Sequence, residues 1–163
     1  MTDPIGSKPL CLPLGRRRFM AAVVARLLAA PLAAAAQEAG TGPWGRPWPP
    51  AGHLGPGVSY VVIEGNPNSG PHTVHARYPA GHTVGPHRHK SAEHVIVLSG
   101  TLLIGWGELW DPTKLKAIRA GEDIVVPASV AHFSAAREET VMSVRIAGPY
   151  DIEYVLDTDD PRR

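Results

Sequence analysis

Cysteine is almost missing: the 163-residue chain holds one, Cys11. A lone thiol excludes an internal disulfide framework and any cysteine-built zinc or iron–sulfur cluster. Aromatic residues are scarce, 6% of the chain with two Phe, and charged residues make up only 19%. No apolar run is long enough to span a bilayer, because the longest, residues 19–36, is broken by Arg26 and Pro31. No stretch repeats its apolar residues at the spacing of an amphipathic helix, and no repeat recurs at solenoid length. What the chain does have is Gly and Pro, 17 of each. That composition favours many short strands joined by turns, in a length that suits one domain.

The first 36 residues differ from the rest. Arg16-Arg17-Arg18-Phe19-Met20 precedes a weakly hydrophobic Ala/Val/Leu stretch, and Ala34-Ala35-Ala36 offers a small-residue cleavage site before Gln37. The paired arginines resemble the twin-arginine export signal of bacteria, which implies a periplasmic or secreted protein cut near Ala36. Residues 1–36 carry five of the 16 Lys and Arg and one of the 15 acidic residues. The remainder therefore holds 11 basic against 14 acidic residues, a net charge of −3. That balance argues against a nucleic-acid surface, and the mature form has no membrane segment.

Residues 37–57 read as an irregular Pro/Gly-rich arm in which Trp44 and Trp48 pin the chain to an apolar surface. From Val58 short β-type runs follow at close spacing: 58–64, 72–79, 93–99, 101–105, 114–120, 123–127, 131–136, 140–148 and 150–156. They are punctuated by turn residues and imply a closed or double-sheet β architecture over residues 58–156. Residues 157–163 form a polar tail.

Chemistry concentrates in Gly81–Gly100, GHTVGPHRHKSAEHVIVLSG. In extended backbone, positions two apart face the same way, so His87 and His89 reach one point and Glu93 keeps their parity. Imidazole with carboxylate suits a divalent first-row metal. Downstream, Gly121 permits a turn into a strand that Pro127 ends, and His132 opens the next strand facing the same cavity.

These residues carry a family resemblance. Gly81, His87, His89, Glu93 and Gly100 match the first cupin motif at every spacing. Gly121, Pro127 and His132 match the second, with Ser129 and Ala136 in place of its second Gly and its Asn. The chain thus resembles a small single-domain bacterial cupin over residues 58–156. The resemblance implies an all-β, jelly-roll double-stranded β-helix with little helix. It also implies one divalent transition metal (Fe, Mn, Cu, Ni or Zn) on His87, His89, Glu93 and His132. Three imidazoles and a carboxylate leave positions open for water, O2 or substrate. Glu93 is either a ligand or a neighbouring group that orients a histidine or accepts a proton, and it is the candidate catalytic residue.

Parity sets the other candidates. His94 faces away from Glu93, His82 belongs to a solvated loop, and His53 belongs to the arm without chemistry. Of His72 and His75, at most one faces the cavity. The walls are expected at Tyr60, Val62, Val74, Val95, Val97, Leu103, Phe133, Met142 and Val144, with Trp106 and Trp110 packing at the barrel end or in a dimer contact. With no Arg or Lys placed inside, a phosphate or dicarboxylate is disfavoured. Three functions fit: a dioxygenase-type oxidoreductase acting on a small enol, diol, aromatic or sugar-like substrate; a non-redox isomerase or lyase; and a small-molecule or metal-binding sensor. Apolar residues on both strand faces, such as Ile96 and Leu98 opposite Val95 and Val97, call for cover by a second copy in a homodimer.

Overall fold

The computed structural model describes residues 48–163. The export-signal reading, the cleavage site and Trp44 lie outside the described residues. Among the described residues ten strands run in chain order: β1 (Ser59–Gly65), β2 (His72–Tyr78), β3 (Thr83–Arg88), β4 (Glu93–Ser99), β5 (Thr101–Trp106), β6 (Lys116–Arg119), β7 (Asp123–Val126), β8 (His132–Ala136), β9 (Thr140–Ile146) and β10 (Glu153–Tyr154). Among the described residues the only helical pieces are three-residue 3-10 turns.

The strands form two antiparallel five-stranded sheets, ordered β1-β2-β9-β4-β7 and β10-β3-β8-β5-β6. Facing antiparallel sheets of short strands make the jelly roll that the sequence pattern implied. Between them lies a core of Ala76, Val95, Val97, Leu102 and Met142.

The pattern of short β runs left out β3. Its Gly85-Pro86 pair reads as a turn, since Pro86 cannot donate to a ladder. The strand survives because its pairing with β8 slips between Val84 and His87, a bulge that absorbs the pair. Gly85 is required there, since a Cβ would press into the Asp159 side chain from the C-terminal 3-10 turn. At the other end of the chain, the expected strand over 150–156 shrinks to Glu153–Tyr154.

Part of the arm is held by its own barrel. Pro50 bridges to Ser59, Ala51 N donates to Val58 O at 2.8 Å, and the Arg77 guanidinium sits 5.8 Å above the Trp48 ring. The following 3-10 turn, Gly52–Leu54, is tied down by a 3.3 Å hydrogen bond from the Tyr154 hydroxyl to His53 O.

Candidate metal centre

Each sheet contributes one row of side chains to the site. In the β3 sheet, Tyr154, His87, His132 and Trp106 stand side by side on β10, β3, β8 and β5. In the facing sheet, His72, Ile146, Glu93 and Val126 do the same on β2, β9, β4 and β7. His89 lies one residue past the end of β3, in the connection between the two rows.

The three histidines come together. His87, His89 and His132 are buried, and one ring nitrogen from each lies within 4.8 Å of the others. Their remaining nitrogens are tied to backbone. His87 Nδ1 meets Gly85 O at 2.7 Å, His132 Nδ1 meets Val130 O at 3.1 Å, and His89 Nδ1 meets Asp151 O. A carbonyl oxygen only accepts, so each Nδ1 carries the hydrogen, and in the neutral ring each Nε2 keeps its lone pair. Outer hydrogen bonds of this kind hold metal-ligating imidazoles in orientation and tautomer. The donor set thus fits a divalent cation.

The second motif locks onto the first at one bond. Ser129 N donates to His89 O at 2.7 Å from a left-handed conformation, φ 63°, the only non-glycine positive φ among the described residues. That is why the motif carries Gly at this position.

The family model described as the ChrR Cupin-like domain matches residues 37–150. The chain belongs to this cupin family.

No curated protein matches this cupin in sequence. Among solved structures it is similar to KdgF from Halomonas sp., at 17% identity over 64% of this chain and 86% of that one, TM-score 0.51. An RmlC-like cupin from Shewanella frigidimarina is 18% identical over 60% and 80% of the two chains, TM-score 0.49. An oxalate oxidase is 29% identical over 53% of this chain and 46% of its own, TM-score 0.44. These likenesses are of fold.

Glu93 stands apart from the tight histidine group. It is 8% exposed, and its Oε1 lies 3.5 Å from His89 Nε2. It reaches the site by a different route from the one parity suggests. β3 ends at Arg88 and a turn intervenes, so Glu93 arrives on the facing sheet, with its direction set by β4. Burial raises its pKa, His89 lowers it in part, and the carboxylate of Asp151 adds to the rise. Burial likewise drives His87 well below the imidazole range, with His132 and His89 adding to it, and takes His132 down to about 4. In the absence of metal His87 and His132 are therefore neutral near pH 7, the state a cation requires.

The site opens into a cavity of about 90 Å³ between the sheets. Tyr60, Val74, Val95, Met142 and Val144 line it as expected. Four expected wall residues do not. Val62 is exposed on the edge strand β1. Leu103 points away because its neighbours Leu102 and Ile104 face in, a one-residue shift that flips every side chain of a strand. Phe133 is fully buried on the far face of β8, against Gly105 and 5.1 Å from the Trp110 ring, while His132 and Ser134 take the inner face. Val97 is fully buried in the core and, unlike the rest of its cluster, does not line the cavity.

His94 faces outward and pairs with Asp123 at 2.7 Å, as its parity required. His82 is half-buried with its ring 5.1 Å from Tyr78, so it is not the solvated side chain expected of a loop. His72 is the member of its pair that faces the cavity. Three more lining residues stand outside the expected walls. His53 comes in on the arm's 3-10 turn, Tyr78 ends β2, and Tyr150 sits in an irregular segment. His53 and Tyr150 depend on loops, where side-chain parity says nothing, while Tyr78 shares the parity of Val74 on β2.

Proposed function

We propose that this cupin is a metal-dependent oxidoreductase of dioxygenase type acting on a small enol, diol, aromatic or sugar-like molecule. The observation that carries the reading is the convergence of three buried imidazoles, each with its Nδ1 on a backbone carbonyl and its Nε2 toward the others, on one side of an apolar cavity. His87, His89 and His132 would hold one divalent ion, with Glu93 as fourth ligand or as proton acceptor beside His89. A bound iron, manganese, copper or nickel ion supplies redox chemistry toward O2, and both oxygen atoms end in the product without an external reductant. The protein's part is to bind and orient. The valine-rich walls exclude water, and Glu93, its pKa raised by burial, is poised to take a proton from a substrate hydroxyl.

Oxygen uptake by protein reconstituted separately with each metal tests this. Uptake with at least one metal and an enol or diol substrate is the expected result; none with any metal overturns it. A trio of imidazole nitrogens suits zinc equally. Turnover with zinc under anaerobic conditions would therefore point to an isomerase or lyase, and tight ligand binding without product to a sensor module.

We also propose that residues 1–36 direct export to the periplasm and that the mature protein is a homodimer. Support comes from the paired arginines and from Ile96, Leu98 and Val125, exposed on neighbouring strands of one sheet. Fractionation of cells and light scattering of the purified chain test the two in turn.

A further inference from the structure

The cavity has a second polar end, built from groups outside the histidine trio. His72 opens β2 in the row His72–Ile146–Glu93, so its ring shares the face that carries Glu93. It is 3% exposed and lines the cavity. Its Nδ1 lies 3.0 Å from Gly148 O and 3.1 Å from Gly70 O. Both oxygens can only accept, so Nδ1 carries the hydrogen, shared between them, and in the neutral ring Nε2 is left as a lone-pair acceptor. That Nε2 is buried and has no hydrogen-bond partner among the described residues.

The Tyr150 hydroxyl is in the same position: buried, on the same cavity, and without a partner among the described residues. Its ring centroid stands 6.5 Å from that of His72 and 6.3 Å from that of His89, which places it between the two ends of the cavity. Native proteins seldom leave buried polar atoms unpaired. Two of them on one cavity wall, beside a candidate metal centre, imply an occupant that pairs them.

Charge narrows what that occupant is. Among the described lining residues there is no Lys or Arg, and Glu93 is the one acidic group. At this end of the cavity a carboxylate or phosphate would find no side-chain cation, and it would set its lone pairs against the lone pair of His72. A hydroxyl supplies the hydrogen that Nε2 lacks. We propose that His72 and Tyr150 form a recognition pole for a small neutral molecule with two vicinal oxygens. His72 Nε2 accepts a hydrogen bond from one hydroxyl, and the Tyr150 hydroxyl pairs with an oxygen nearer the histidine trio. His72 is a specificity residue here: two backbone carbonyls fix its tautomer, so it accepts without donating into the cavity and discriminates a hydroxyl from an ether or an anion. This rests on the reading of the cavity as a substrate site.

The test is calorimetric titration of the full-length, zinc-loaded protein with catechol, and with 1,2-dimethoxybenzene, which keeps the ring and loses both donors. His72→Phe, His72→Gln and Tyr150→Phe are compared with wild type, with zinc content measured by elemental analysis and folding by circular dichroism. Catechol affinity should fall roughly tenfold in His72→Phe, the loss of one hydrogen bond, and recover in part in His72→Gln, whose amide oxygen still accepts. Tyr150→Phe should weaken binding several-fold, and it decides the matter should His72→Phe not fold. Zinc content should stay at the wild-type level throughout. Equal catechol affinity in wild type and folded His72 variants, or equal binding of the dimethoxy compound, overturns the recognition pole. Failure of the wild type to take up zinc overturns the metal centre instead. The same titration on metal-free protein then judges the pole alone, by the same wild-type to His72→Phe ratio.

Discussion

At the scale of single residues, the metal centre is a matter of which imidazole nitrogen is free. In His87 and His132 a backbone carbonyl two residues earlier in the chain takes the Nδ1 hydrogen, so orientation comes from the local bend of the chain. His89 borrows its carbonyl from Asp151, far away in sequence, and its orientation depends on the C-terminal segment being docked. Replacing His87 or His132 by Ala should therefore abolish most metal uptake while leaving the barrel folded. The loss should exceed the 10–100-fold that removal of an outer-shell partner typically costs; unchanged occupancy by elemental analysis would reject the assignment. Glu93→Gln keeps the shape of the side chain and removes its charge. It should lower metal affinity by at least tenfold if Glu93 ligates, and the same dialysis measurement would expose a purely positional role as a smaller change.

At the scale of elements, two local choices hold the site in place. Ser129 occupies the turn ahead of β8 in a left-handed conformation that costs an L-residue about 1 kcal/mol. Ser129→Gly should raise stability by roughly that amount in urea titrations and leave metal content alone, since the backbone bond to His89 O is retained. Gly105 has the opposite constraint. On β5 it faces Phe133 across the ladder, and a Cβ would run into the Phe133 ring. Gly105→Ala should cost about 1–3 kcal/mol through overpacking, read as a lower melting temperature. A neutral result would mean that Phe133 moves freely and does not brace the strand that carries His132.

At the scale of the whole molecule, burying His87 and His132 makes the metal-free barrel acid-sensitive. His132 titrates near 4 when folded and near 6.5 when unfolded. Between those values the unfolded chain binds a proton that the native chain does not, so stability falls as pH drops through 6.5 towards 4. His87 acts in the same direction. Glu93 acts in the opposite one, because its raised pKa makes the folded state the better proton acceptor above 4.5. His87 and His132 thus pull one way, and Glu93 pulls the other. Metal-free protein should lose stability between pH 7 and pH 5, about 2 kcal/mol from His132 alone. The urea midpoint after chelation measures this, and an unchanged midpoint would show that the histidines are solvated.

The fold class and the histidine trio were legible in the amino-acid order. Turn residues at close spacing between alternating runs dictate short antiparallel strands, and the His-x-His with its downstream His was legible because it stands at cupin-motif spacing. Cavity lining was half legible. Parity placed Val74, Val95 and Met142 correctly but cannot tell which parity of β5 or β8 is inward, hence Leu103 and Phe133 in place of Leu102 and Ser134. What only the tertiary structure decided was whatever crosses between sheets or arrives on a loop. That set comprises Glu93 entering from the opposite sheet, His53 on the arm, Tyr150 beside the trio, and the pair of glycine carbonyls, Gly70 and Gly148, that fixes the tautomer of His72. The reason is physical. Periodicity encodes which neighbours share a face of one strand, while the meeting of two faces depends on packing that no single segment contains.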